Sequence, residues 1–217
     1  MKLASVSLLM SALAIVQFGV SGQSAPRAAS IPVADVAFTD RPVIVILPEL
    51  ATRYKVVIGV SGVWNRSNET LVSVSIPTGT VKDVLDALVR ENPSFTWQQE
   101  DDGGILVLTS GAPVSVLDVV VKTFDTDHPR RFELGTQIRN LPEIKEWEKK
   151  NGCRMTQIIS VSGANPAQYF GWVWPIEVHV KNMRLETLLK RIALESEKYS
   201  WSVVRYKDPS CSVILYP

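Results

Sequence analysis

The chain nearly repeats itself, and this limits its possible folds more than any single motif does. Residues 74–97, VSIPTGTVKDVLDALVRENPSFTW, align without a gap with residues 178–201, VHVKNMRLETLLKRIALESEKYSW. In each copy the first element alternates. Val72, Val74 and Ile76 share one face, with Ser73 and Ser75 on the other; Ile176, Val178 and Val180 alternate likewise with Glu177, His179 and Lys181. A period of two is a strand with one buried face. The period then changes. Val81, Val84, Leu85, Leu88 and Val89, and their partners Leu185, Leu188, Leu189, Ile192 and Ala193, are spaced three and four apart, the stripe of an amphipathic helix. Thr78 and Asn182 take the equivalent N-cap position, where a side-chain oxygen can satisfy free backbone N–H groups. An aromatic pair follows each helix, Phe95/Trp97 and Tyr199/Trp201, then a turn at 101–104 or 207–210, then a closing strand at 105–108 or 213–215. Trp97 and Trp201 recur at one position and read as core.

Weaker echoes extend upstream in the same order. Phe38-Thr-Asp-Arg-Pro42 matches Phe124-Asp-Thr-Asp-His-Pro129, Leu47-Pro48-Glu49-Leu50 matches Leu141-Pro142-Glu143-Ile144, and Val60-Ser61-Gly62 matches Val161-Ser162-Gly163. The full unit therefore reads strand, helix, strand, strand, helix, strand, strand. In the first copy, helix one falls near 43–54 with Val43, Ile46, Leu47 and Leu50 inward. A proline inside a helix costs about 3 kcal/mol, so regular helix is expected to start only at Leu47 or Pro48. In the second copy Pro142 opens the helix and Asn151-Gly152 ends it. The expected fold class is α+β. It consists of two tandem small units, residues 31–112 and 113–217, each a mixed three- to four-stranded sheet packed against two helices.

The text from Val36-Ala-Phe38 to Ile105-Leu-Val-Leu108 contains VVIGV (56–60), VSVSI (72–76), VKDVLDALV (81–89) and FTWQQEDDGGILVL (95–108). It resembles the short domain at the N-terminus of secretins and of TonB-dependent receptors that signal. In the second unit the likeness covers only residues 176–216. Pro48 falls inside that family's first helix, and residues 123–175 are longer than the family unit. No outer-membrane barrel or secretin pore follows, so a free-standing member is expected and the pore function is not carried over. The resemblance implies periplasmic contact with an inner-membrane or adaptor protein, and it carries no catalytic signature.

The N-terminal text fits that compartment. Lys2 is followed by an apolar stretch, and Val20 and Gly22 stand at the small-residue positions of a cleavage site before Gln23. Residues 1–22 are the layout of a secretory signal peptide. An uncleaved anchor is the rival, although Ser5, Ser7, Ser11 and Gln17 dilute the stretch. Residues 23–30, QSAPRAAS, read as a flexible linker. With 46% hydrophobic residues a folded core is expected, and a net charge of +1 removes the electrostatic footprint of a nucleic-acid binder. Cys153 and Cys211 are the only cysteines, and an even pair in an exported chain suggests one disulfide. Two buried free thiols are the alternative. With His128 and His179 the cysteines lack metal-ligand spacing, so no metal or other cofactor is expected.

Catalytic patterns are sparse. Ser61 lies in IGVSGVW, where Gly-x-Ser-Gly departs from the Gly-x-Ser-x-Gly of a nucleophile turn. His179 reads as a solvated strand residue and His128 as a turn residue. Glu143, Glu146 and Glu148 with Lys145, Lys149 and Lys150 make a mixed-charge helix face. Asn65-Arg-Ser67 and Asn68-Glu-Thr70 are glycosylation acceptor patterns in a loop. The unusual stretch is 165–175, with Tyr169, Phe170, Trp172 and Trp174 in six residues. Packing onto the sheet accounts for it in one reading, and an aromatic contact surface for a partner in the other.

The expected function is a protein-protein interaction module of an envelope secretion, uptake or signalling system, rather than an enzyme. Its partner would be a transporter, secretin or signalling component. It would be periplasmic or outer-membrane-associated, with no transmembrane span in the mature chain. The alternative is a small envelope glycan-binding protein or hydrolase accessory using the aromatic 165–175 loop.

Overall fold

The computed structural model describes residues 27–157, 175–206 and 211–216. The chain is mixed α+β, with five helices and ten strands among the described residues. Its first part runs β1 (Pro32–Pro42), α1 (Val43–Tyr54), β2 (Ile58–Trp64), β3 (Leu71–Thr80), α2 (Val81–Glu91), β4 (Phe95–Gln99) and β5 (Ile105–Thr109). Its second part runs β6 (Val120–Asp127), α3 (Arg131–Arg139), α4 (Pro142–Asn151), β7 (Arg154–Gln157), β8 (Glu177–Arg184), α5 (Leu185–Glu195), β9 (Ser200–Tyr206) and β10 (Ser212–Tyr216).

The strands form two antiparallel ribbons, β1–β3 and β6–β8, and one six-stranded sheet in the order β4-β5-β2-β9-β10-β7. The two parts therefore share this sheet, where a sheet in each unit was expected. They meet where β2 pairs in parallel with β9, from Ile58↔Ser200 to Trp64↔Tyr206. Alternation explains how one sheet serves two cores. Ile58, Val60, Ile105, Val107 and Val204 join the cluster of α1, α2 and the β1–β3 ribbon. Leu106, Trp201, Val203 and Val213 point the other way, into the cluster of α3, α4, α5 and the β6–β8 ribbon. The uninterrupted run Ile105–Leu108 follows from burial on both faces.

The helices form as the stripes predict, with shifted ends. Val81, Val84, Leu85 and Leu88 are buried, as are Leu185, Leu188, Leu189, Ile192 and Ala193. The caps expected at Thr78 and Asn182 are not there. The strands run two residues further, so Thr80 caps α2 in a reciprocal box with Asp83, the Thr80 N–H donating to Asp83 Oδ2 at 2.7 Å. Asn182 lies within β8 in a left-handed conformation, φ 49°, and α5 follows Arg184 without a side-chain cap.

Pro48 does not delay α1, which starts at Val43. Burial of Val43, Ile46, Leu47, Leu50 and Ala51 offsets the lost hydrogen bond. At the matching Leu141-Pro142 the second part does break: α3 precedes it, and Pro142 opens α4, which ends at the left-handed Gly152. Residues 28–30, expected as linker, form a 3-10 turn with Ala28 and Ala29 buried. The Ile31 carbonyl also accepts from Val81 N at 2.9 Å.

Candidate interaction surfaces

Strand β4 is one edge of the sheet, paired only with β5. Glu100 N donates to Gly104 O at 2.9 Å and Ser110 N to Ser94 O at 3.1 Å. In an antiparallel ladder this parity turns the even-numbered residues of β4 toward β5 and leaves the N–H and C=O groups of Trp97 and Gln99 pointing outward. Thr96 and Gln98 are exposed. Trp97 is half-buried and not fully core; its indole N–H donates to Asp86 Oδ1 at 3.0 Å. Trp201 is fully core.

Strand β9 holds in the second part the place that β4 holds in the first. Each follows a striped helix, has an aromatic pair at its start and forms an antiparallel hairpin. The outer side of β9 is taken by β2. Gly59 makes this possible, because a Cβ there would overlap the Trp201 ring lying across β2.

A charge cluster locks the same junction from the hairpin side. Lys190 Nζ on α5 lies 2.6 Å from Glu100 Oε2, 2.9 Å from Asp102 Oδ2 and 3.2 Å from Glu186 Oε1. Arg184 reaches Glu186 at 3.2 Å and Asp118 at 2.5 Å. Burial, and then a proton shared with Glu186, push the Glu100 carboxyl up to about 7, against the pull of Lys190. Burial would raise Glu186 too, but the contact with Glu100 and the Lys190 charge outweigh it and hold that carboxyl low. Burial would likewise lower Lys190; its contacts with Glu100 and Asp102 overcome that and raise it.

A groove of about 510 Å³ opens between α1 and β9, walled by Ile44, Val45, Val60, Trp64, Val204 and Tyr206, with Glu69 at its margin. Trp64 is set edge-on to Phe95, at 6.4 Å between centroids. Glu69 belongs to a 3-10 turn fixed by Asn65 and Asn68.

The residues singled out in the sequence fall as follows. Cys153 and Cys211 form a disulfide with Cα atoms 4.7 Å apart, joining the starts of β7 and β10. Tyr169, Phe170, Trp172 and Trp174 lie outside the described residues, as do residues 1–22. Ser61 is fully buried in β2 and its Oγ accepts from Val114 N at 3.0 Å, a structural role. His179 is exposed between Asp125 and Glu177, at 3.1 and 3.0 Å, and these two carboxylates raise its pKa. His128 is an exposed turn residue with φ 44° beside Asp127. Glu148 is tied inward: its Oε1 accepts from Met155 N at 2.6 Å. Asn68 is fully buried, accepting from Asn65 N at 2.8 Å and donating to Ser94 Oγ at 3.0 Å, so folding closes that acceptor pattern. Among the described residues no helix is long and apolar enough to cross a membrane.

The edge of β4, the Lys190 cluster and the groove were not read from the sequence. The groove and the Lys190 cluster come from pairing β2 with β9, which no local pattern encodes. No family model, curated protein or solved structure matches the chain.

Proposed function

We propose that the chain is a protein-protein contact module of a bacterial envelope system that takes up an extended segment of its partner along β4. The observation that carries this reading is the contrast between two equivalent strands. The outer side of β9 is already completed by a parallel strand of the same chain, while that of β4 presents unpaired backbone groups at Trp97 and Gln99. An edge of this kind is a template for strand addition. The resemblance of residues 36–108 to the N-terminal domain of secretins and signalling TonB-dependent receptors supports the same role. The signal-peptide layout of residues 1–22 supports a periplasmic or outer-membrane-associated location.

The test is a crosslinking pull-down with residues 23–217 from the native cell envelope, run in parallel with Gln99→Pro. Proline there removes an outward N–H and spares the ladder to β5. Recovery of a transporter, secretin or signalling protein by the unaltered chain, and its loss with Gln99→Pro, is the expected result. Equal recovery by both chains, or recovery of glycan alone, overturns the proposal.

A further inference from the structure

The groove between α1 and β9 lies on the sheet face that carries α1 and α2, two strands away from the β4 edge. Its volume, about 510 Å³, is within the ~300–1,000 Å³ typical of ligand sites. The wall is apolar, and Val45, one of its residues, is 47% exposed.

Its polar groups lean one way. Glu69 is exposed and carries the only formal charge among the groove's described residues; it accepts from Trp64 Nε1 at 3.4 Å, and no cation pairs with it among the described residues. The Tyr206 phenol is raised first by its burial and then by the negative charge of Glu69, which is therefore felt inside the groove. Pro48, also on the wall, has no N–H, so the Ile44 carbonyl lacks the donor that would stand four residues on. A carboxylate and a freed carbonyl in a groove walled by Trp64 and Tyr206 favour a cation. Asn65 and Asn68 hold the Glu69 turn in place, so the carboxylate is positioned in advance.

We infer that this groove binds an extended peptide segment of a partner protein, with apolar side chains along the α1 wall and one lysine or arginine held by Glu69 between Trp64 and Tyr206. This site is separate from the β4 edge and does not depend on it.

Two synthetic peptides test the assignment, acetyl-Val-Leu-Lys-Val-Leu-amide and its counterpart with glutamate for lysine. The readout is the indole N–H resonance of Trp64 in the 15N-labelled chain, assigned with Trp64→Phe. The lysine peptide is expected to shift that resonance saturably. Glu69→Gln, which keeps an acceptor for Trp64 and the shape of the turn, is expected to weaken binding by about tenfold. The glutamate peptide is expected to bind no better than it does to Glu69→Gln, and Gln99→Pro to bind the lysine peptide as the unaltered chain does. Equal binding of both peptides, an unchanged affinity in Glu69→Gln, or no shift of Trp64 at all would overturn the inference. Loss of binding in Gln99→Pro would overturn the independence of the two surfaces.

Discussion

Glu100→Gln is expected to make the protein more stable above neutral pH while leaving it little changed below pH 5. In the folded chain three carboxylates, Glu100, Asp102 and Glu186, crowd one ammonium, Lys190, with Glu100 16% and Lys190 13% exposed. The Glu100 carboxyl titrates at about 7 folded against 4.5 in an unperturbed chain. Because its folded pKa is raised, the native state holds a proton that the unfolded state has already released. The stability this contributes is fully present below pH 4.5 and is lost as pH rises through 7. A gap of that size corresponds to at most ~3 kcal/mol. Glu186, whose pKa is lowered, acts in the other direction, but only as pH falls below its unperturbed 4.5. The window between 4.5 and 7 therefore belongs to Glu100. Each kcal/mol moves the melting temperature of a chain this long by about 2–4 °C, so up to ~10 °C is at stake. The assay is thermal unfolding of both chains from pH 4.5 to 8.5. His179, also raised, loses stability in the same direction, so the quantity that decides is the difference between the two curves. That difference should grow in favour of Glu100→Gln as pH passes 7. Parallel curves would refute the cluster as described.

Three further outcomes follow from the same contacts. Gly59→Val should cost about 3 kcal/mol or more, because the added side chain occupies the place of the Trp201 ring; in Trp201→Ala the same substitution should cost far less, as urea unfolding of the four chains would reveal. Reducing the Cys153–Cys211 disulfide, which spans 58 residues, should remove about 2–5 kcal/mol and lower the melting temperature on the order of ten degrees; an unchanged melting curve with dithiothreitol would contradict it. Asn68→Ala should destabilise by about 1–3 kcal/mol, since it removes the acceptor of the part-buried Asn65 N–H and the donor to Ser94 Oγ, which keeps its own bond to Asn92, with Ser67→Ala, on the exposed side of the turn, as the milder comparison in the same denaturation series.

Local periodicity carried most of what the sequence disclosed. The stripes of α2 and α5 and the alternation of β3 and β8 fix which faces are buried, so these elements were readable from residues alone. Pro142 and Gly152 punctuate α4 in the same local way. Pro48 was misleading because propensity weighs one lost hydrogen bond, while α1 is held by five buried residues. α3 escaped notice since, among its described side chains, only Leu134 and Ile138 are buried hydrophobics. The union of the two parts into one sheet was hidden for another reason. IGVSGVW looks like a turn, and its glycines make sense only once Trp201 lies over Gly59 and the Thr109 carbonyl crowds Gly62. Glu186 and Lys190 look like an ordinary exposed pair four residues apart on a helix. Only the docking of the 100–104 hairpin against α5 buries them.

The most direct test of the contact-module account is photo-crosslinking from β4 in native cells. A photoreactive residue replaces Gln98, which is exposed beside the unpaired edge, and a second chain carries it at Glu146, exposed on α4. The account predicts one discrete protein adduct from position 98 and none of that mass from position 146. Identical adducts from both positions, or no protein adduct from position 98, would contradict it.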